Sequence, residues 1–203
     1  FTCCVTAFPF LWMAVSSLKT KEEVLDTASF LPSVPQFGNY RSILADSPIP
    51  GYLANSFFVS LAAAAIQLVC CALFTYAVTF MKIRGRDMLF RLVLFTYMVP
   101  TAVTYIPCYI ILSRMGLLDS YQGLILSNGV SVFGIFLLHQ AFEAVPKETM
   151  EAARMDGAGH LSILTRIIVP MTRPSFMTFI LLSFINTYNS YMWPSLITDS
   201  PNL

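Results

Sequence analysis

Charged side chains divide the chain more sharply than any other feature. Five runs free of Lys, Arg, Asp and Glu cover residues 1–18, 47–81, 92–113, 120–142 and 174–198. Each is near or above the roughly 18 to 20 residues that an α-helix needs to cross the hydrocarbon core of a bilayer. The pattern predicts about five spanning helices, an all-α polytopic transmembrane bundle. A β-barrel would need segments of about ten residues with apolar and polar positions alternating, and Leu61 to Ile66 and Gly123 to Leu126 do not alternate. The first run starts at Phe1 without a basic leader, contains Pro9 and ends at Lys19. It reads as a truncated helix; the competing reading, a cleaved signal peptide, calls for small residues where Trp12 and Met13 stand. The last run stops close to Leu203. The expectation is a single transmembrane domain over 1–203, cut at both ends, with 143–173 as an extramembrane segment.

Composition agrees with the pattern. Apolar residues make up 56% of the chain and charged residues 11%, against about a quarter charged in soluble domains, and the mean hydropathy is +0.68. A formal net charge of +1 supplies no basic stripe for a phosphate backbone, which argues against nucleic-acid binding. The placement of charge also gives orientation. Residues 82–91 and 143–173 hold eight Lys and Arg in 41 positions, whereas 19–46, 114–119 and 199–203 hold four in 39. Basic residues accumulate on the cytoplasmic side, so the first pair of segments is expected there.

Chemistry for catalysis is missing from the pattern. Cys3, Cys4, Cys70, Cys71 and Cys108 lie in apolar runs without a CxxC pair, and His139 and His160 stand far apart, so neither a metal site nor a resident cofactor is expected. Nucleophile-elbow, zinc-protease and phosphate-loop patterns do not occur. No Lys, Arg, Asp or Glu falls inside the runs, which disfavours a proton-coupled pump. Their polar residues are neutral: Gln67, Thr75, Thr101, Thr104, Asn128, Ser131, Asn186 and Asn189. Such groups either bond across helices or line a path for a hydroxyl-rich solute.

The segment from 143 to 173 is far longer than a turn requires. Pro146 suits a first helical turn, Glu148 and Glu151 favour the helix start, and Ala152 and Ala153 extend it to about Asp156. Gly157 then stops it, and His160 to Ile168 forms a second short helix, closed by Pro170 and Pro174. On that second helix Leu161, Leu164 and Ile168 make an apolar stripe. A helical bracket of this kind either lies on lipid headgroups or inserts into the groove of a partner. The small side chains of Ala152, Ala153, Gly157, Ala158 and Gly159 favour a partner, because they permit close approach and anchor poorly in lipid.

Glu151-Ala152-Ala153, three residues, Gly157, nine residues and Ile167-x-Val169-Pro170 resembles the EAA loop of the permease subunits of bacterial ABC importers, with Val169 in place of the usual Leu. The extension Asp156-Gly157-Ala158 is similar to the form in carbohydrate importers of the maltose and glycerol-3-phosphate type, in the second of their two permeases. Asn39-Tyr40-Arg41, Asn55-Ser56, Met98-Val99-Pro100, Gly116-Leu117-Leu118-Asp119 and Tyr188-Asn189-x-Tyr191-x-Trp193-Pro194 resemble the same group. The resemblance implies a type I importer permease fold in the bacterial inner membrane. It implies a second permease, a dimer of cytoplasmic ATPase subunits that bind the ATP and Mg, and an extracytoplasmic solute-binding protein. It implies that Glu151, Ala152, Ala153, Asp156, Gly157, Ala158, Ile167 and Pro170 form the ATPase-docking loop, with no catalytic residue in this chain. Pro100, and with less reason Pro107 and Pro194, are candidate bending points.

For the solute pathway the fifth run offers Asn186, Asn189 and Ser190 at i, i+3 and i+4, beside Tyr188. Tyr191 and Trp193 near its outer end fit an interfacial aromatic belt. Sugars or sugar-like solutes are the first reading; other solute classes such as polyamines or amino acids, and a secondary carrier, channel or membrane scaffold, are the rivals.

Overall fold

The structure, a computed structural model, describes residues 2–25 and 29–200. Its described residues form helices and turns, in two compact units, 1–54 and 55–203. In the first unit, α1 (Thr2–Ser16) is apolar and runs through Pro9. Helix α2 (Lys21–Leu25) opens with a capping box: the Thr20 amide donates to Glu23, and the Glu23 amide to the Thr20 hydroxyl. The Ser33 hydroxyl, the Thr20 amide and the Ser33 amide all bond the Glu23 carboxylate and hold its pKa down at about 2. Lys19 is buried, donates 2.6 Å to the Ser29 carbonyl and lies 4.9 Å over the Trp12 ring. Asn39 at the start of α3 (Gly38–Asp46) donates to the Ser17 and Lys19 carbonyls. That fastens α3 to the end of α1.

Helix α4 (Ile49–Phe80) carries the second unit. Its 32 residues extend about 48 Å at 1.5 Å per residue, well beyond a hydrocarbon core of about 30 Å. The remaining apolar runs do not form straight spans as the charge pattern suggested. Helices α5 (Arg86–Thr96) and α6 (Thr101–Arg114) meet at 102°, and α7 (Tyr121–Ser127) and α8 (Val132–Glu143) at 48°. The helix from His160 to Met171 meets α12 (Arg173–Tyr188) at 87°. Among the described residues, one helix is long and apolar enough to span, four candidates result when each bent pair counts as one, and α1 is a shorter apolar helix.

Each break has a local cause. Pro100 holds an extended backbone at the start of α6 and disfavours helix in Val99. Between α7 and α8 the chain passes through Asn128-Gly129, and the Ser131 hydroxyl caps α8 by accepting from the Gly134 amide. Pro174 opens α12. Pro107, by contrast, sits inside α6 without ending it.

A broken helix inside a membrane exposes carbonyls that water cannot reach, and neighbouring side chains must serve them. Helix α4 serves one such carbonyl, that of Asn128, and at each following fourth residue it adds a hydrogen bond to a carbonyl at the start of α8. The Gln67 amide donates 2.6 Å to the Asn128 carbonyl, the Cys71 thiol 3.4 Å to Ser131, and the Thr75 hydroxyl 3.4 Å to Ile135. Gln67, 7% exposed, also accepts from the Ser183 hydroxyl of α12 at 2.6 Å. Close packing holds α8 on α12: a Cβ at Gly134 would lie 2.2 Å from the Phe179 ring. Helix α5 joins through Phe90, which stacks on His139 of α8 at 3.9 Å.

Candidate functional site

The bracket at 143–173 folds largely as its sequence implies. Helix α9 (Lys147–Met155) is preceded by Pro146 and ends at Asp156. Gly157 adopts φ +80°, the left-handed region that favours glycine. Its amide bonds the Arg154 carbonyl and the Ala158 amide bonds the Ala153 carbonyl, both at 3.0 Å, the pair of contacts that terminates a helix in a Schellman turn. The second arm departs from expectation. It begins as α10 (His160–Ile163), widens into a π-helical turn over Leu164–Ile168 and continues as α11 (Val169–Met171). Pro170 therefore does not close it; it ends at Thr172, whose hydroxyl bonds the Ile168 carbonyl. Its buried stripe is Ile163, Leu164 and Ile168, while Leu161 is exposed. The wider turn shifts the side-chain register of a simple α-helix.

The bracket has two faces. Met150 and Ala153 are buried in a cluster with Ile163, Leu164, Ile168, Phe142 and Phe176, and Ile167 and Ala158 pack against its edge. Glu151, Ala152, Asp156, Gly157 and Pro170 are exposed, and Met155 projects with 88% of its surface free. Ala153 thus seats α9 on its own bundle, while Ala152, one residue before it, faces outward. Two polar contacts lock the bracket to the end of α4. The Arg154 guanidinium donates 3.0 Å to the Phe80 carbonyl, and the Tyr76 hydroxyl and His160 Nδ1 share a hydrogen bond of 3.0 Å. Arg154, Tyr76 and His160 were not singled out by sequence, since a contact 74 or 84 residues away in the chain leaves no local signal.

The second feature lies where the broken helices converge. Three recesses, of about 190, 200 and 90 Å³, share the lining residues Asn128 and Ser190. Asn186 lines the first and Tyr188 the third. Asn189 lines none of them: it terminates α12 and its Nδ2 donates 2.9 Å to the Ile185 carbonyl. The expected face at i, i+3 and i+4 is interrupted because α12 stops at Tyr188 and the chain restarts as α13 (Met192–Ile197). Trp193 corrects a further expectation. It belongs to a buried cluster rather than a belt, donating 2.8 Å to the Ser127 hydroxyl and stacking on Tyr105 at 5.4 Å; Tyr191 is 80% exposed. Asn128 is the residue of widest reach. The Asn-Gly pair inside an apolar run is a turn signal that could have marked it.

Asp119 ties two loops together. Its backbone has φ 51°. Its carboxylate accepts from the Ser200 hydroxyl and from the Asp199 and Ser200 amides, which holds its pKa below the usual carboxylate range.

The chain is similar to known membrane transport proteins. The family of binding-protein-dependent transport system inner membrane components matches residues 68–203. The arabinooligosaccharides transport system permease protein AraQ of Bacillus subtilis is 30% identical over 200 residues, 97% of this chain and 71% of AraQ. The sn-glycerol-3-phosphate transport system permease protein UgpE of Agrobacterium fabrum is 30% identical over 207 residues, covering 98% and 73% of the two chains. The lactose transport system permease protein LacG of Rhizobium radiobacter is 28% identical, covering 97% and 71%. Among solved structures, a bacterial ABC transporter involved in the import of the acidic polysaccharide alginate superimposes with a TM-score of 0.91 at 27% identity, over 99% of this chain and 71% of that one. With its bracket, its broken spans and these relatives, the chain belongs to the family of inner-membrane components of binding-protein-dependent transport systems: it is a permease subunit of an ABC importer, and ATP hydrolysis belongs to a separate subunit.

Proposed function

We propose that this permease forms half of a translocation pathway for sugars or sugar-like solutes, paired with a second, different permease. A binding protein delivers solute from outside and a cytoplasmic pair of ATPase subunits drives the cycle. The names of the relatives, which concern arabinooligosaccharides, lactose and glycerol-3-phosphate, support the solute class. In this reading Glu151, Ala152, Asp156, Gly157 and Pro170 meet the ATPase, and Ala153, Ala158 and Ile167 seat the loop that presents them. Asn186, Tyr188 and Ser190 face the solute path, and Asn189 holds the turn that shapes it. The chain itself binds neither ATP nor Mg.

The observation that carries this reading is the division of α9 into a buried face and a bare one. A surface helix with Met150 and Ala153 fixed inward and Glu151, Ala152 and Met155 outward is a projection awaiting a groove. Locked to α4 by Arg154 and Tyr76, it transmits displacement of its partner into the bundle. Two variants test it in the assembled transporter. A cysteine placed by Ala152→Cys should cross-link to the ATPase. Gly157→Asp should abolish docking and uptake without unfolding the permease, because nothing lies within 4 Å of a side chain at that position and Asp tolerates positive φ better than most residues. Retained transport in Gly157→Asp, or no capture of the ATPase from Ala152→Cys, rejects the docking role.

A further inference from the structure

Helix α13 is six residues long, and Asn189, Ser190 and Tyr191 separate it from α12. So short a helix has little stability of its own and keeps its place through contacts made elsewhere. Near its start the Trp193 indole donates 2.8 Å to the Ser127 hydroxyl and stacks on Tyr105. At its far end a single residue, Asp119, engages four groups. The Asp119 amide donates 2.8 Å to the Ile197 carbonyl, and the carboxylate accepts from the Asp199 amide, the Ser200 amide and the Ser200 hydroxyl.

The turn that presents Asp119 is stiff. The Ser120 hydroxyl donates 2.7 Å to the Leu117 carbonyl and caps α7 by accepting from the Gly123 amide. Gly123 lies so close to the turn that a Cβ there would stand 2.1 Å from the Leu117 carbonyl oxygen. Asp119, at φ 51°, is the one residue other than glycine with a positive φ among the described residues. That conformation is unfavourable for a residue with a Cβ and persists where the surroundings over-determine it. The four bonds to residues 197–200 are such surroundings.

We infer that Asp119 is a positioning residue of the solute path: it latches the far end of α13 to the α6–α7 turn and so holds Trp193 in the wall of the recess that Thr101, Tyr105, Cys108 and Asn128 also line. The inference rests on the transport reading above and adds to it a residue that touches no solute. Loss of the latch frees α13 to pivot about residues 189–191. That draws the Trp193 ring away from Tyr105 and uncovers Cys108, which packs against the same cluster. A solute handed over by the binding protein then meets a recess with one wall out of place, and cycles of ATP hydrolysis pass without moving it. The latch depends on hydrogen-bond geometry rather than on charge. In Asp119→Asn the Oδ1 still accepts from both amides, which share that one oxygen, the new Nδ2 donates to the Ser200 hydroxyl, and the residue tolerates positive φ. Asp119→Gly removes the side-chain bonds and relieves the backbone.

The test uses the complete transporter, with second permease, ATPase pair and binding protein, in vesicles supplied with ATP. Two quantities are read. The first is the rate at which N-ethylmaleimide alkylates Cys108, followed by mass spectrometry of the peptide that carries it. Asp119→Gly should raise this rate at least fivefold and Asp119→Asn should leave it within twofold. The second is uptake per ATP hydrolysed, with arabinotriose, lactose and sn-glycerol-3-phosphate as probes. For each probe that enters, Asp119→Gly should lower this ratio at least threefold while hydrolysis itself stays within twofold, and Asp119→Asn should restore it. Poor folding lowers uptake and hydrolysis together and leaves their ratio in place. Unchanged alkylation in Asp119→Gly overturns the latch; an unmoved ratio, or a loss in Asp119→Asn equal to that in Asp119→Gly, overturns the positioning role. Each of these leaves the transport reading standing. Failure of all three probes to enter with the unmodified protein overturns that reading and this role with it. Ser200→Ala, which removes one of the bonds, serves if Asp119→Gly fails to assemble: alkylation and ratio both unchanged there overturn the inference.

Discussion

At the scale of single residues, the sharpest constraint is an absent side chain. Gly134 lets α8 approach α12 so closely that an added Cβ would stand 2.2 and 2.3 Å from two carbons of the Phe179 ring. Phe179 is 1% exposed and cannot swing aside into solvent. Gly134→Ala should therefore cost about 1–3 kcal/mol, the usual range for overpacking, read as reduced stability in a denaturant titration of the purified permease. Phe179→Leu in the same chain should restore part of the loss; if it restores none, the contact is not the cause. Residue identities of this kind are poorly legible in sequence. Gly134 looks like any small residue in an apolar run, and its partner lies 45 positions away along the chain. The same holds for Gln67, whose place among neutral mid-span residues was visible while its two partners were not.

At the scale of elements, breaks matter as much as helices. Hydrophobic runs report that a segment is buried in lipid or protein and say little about whether it is straight. The charge-free run 92–113 contains the 102° bend of α5 against α6, and 174–198 contains the stop after Tyr188. Pro100 was legible as a breaker, and it sits at the first of these. The bracket at 143–173 was legible because charge, proline and glycine mark its corners; the π turn has no composition signal, and with it went the run past Pro170 and the burial of Ile163 in place of Leu161. The α7–α8 break survives because Gln67 bridges the Asn128 carbonyl and the Ser183 hydroxyl. Unsatisfied polar groups in water-soluble cores cost about 1–3 kcal/mol, but hydrogen bonds between membrane helices measure nearer 0.6 kcal/mol. The second value governs here: a double-mutant cycle of Gln67→Leu and Ser183→Ala should give a coupling of about 0.5–1.5 kcal/mol. A coupling near zero would mean that the break is held by packing alone. In the other unit, the Glu23 carboxylate is held at about 2 against an ordinary 4.5. A depressed carboxylate stabilises the folded form fully above 4.5 and loses that contribution as the pH falls toward 2. Hydrogen exchange at the amides of Thr20 and Ser33 should accelerate, relative to the intrinsic rate, over that window and should lose this dependence in Glu23→Gln.

At the scale of the whole molecule, an importer must make solute movement depend on events at its ATPase, and the locks between bracket and α4 are where this chain can supply that dependence. Seating alone is provided by the buried side chains of α9, Met150 and Ala153. Transmission needs more, because apolar side chains slide over one another at little cost, whereas a directed hydrogen bond resists displacement. Arg154 on the Phe80 carbonyl and Tyr76 against His160 are such bonds, and both join the bracket to the helix that also bonds the α7–α8 break through Gln67 and the start of α8 through Cys71 and Thr75. A push on α9 thus reaches Asn128 through one rigid element. Arg154→Ala combined with Tyr76→Phe removes both locks and leaves Glu151, Ala152 and Met155 of α9 unchanged. The ATPase should still bind and hydrolyse ATP, with uptake per ATP falling at least fivefold. Proportional loss of hydrolysis and uptake would place the defect in docking, and unchanged uptake per ATP would show that force reaches the pathway by another route.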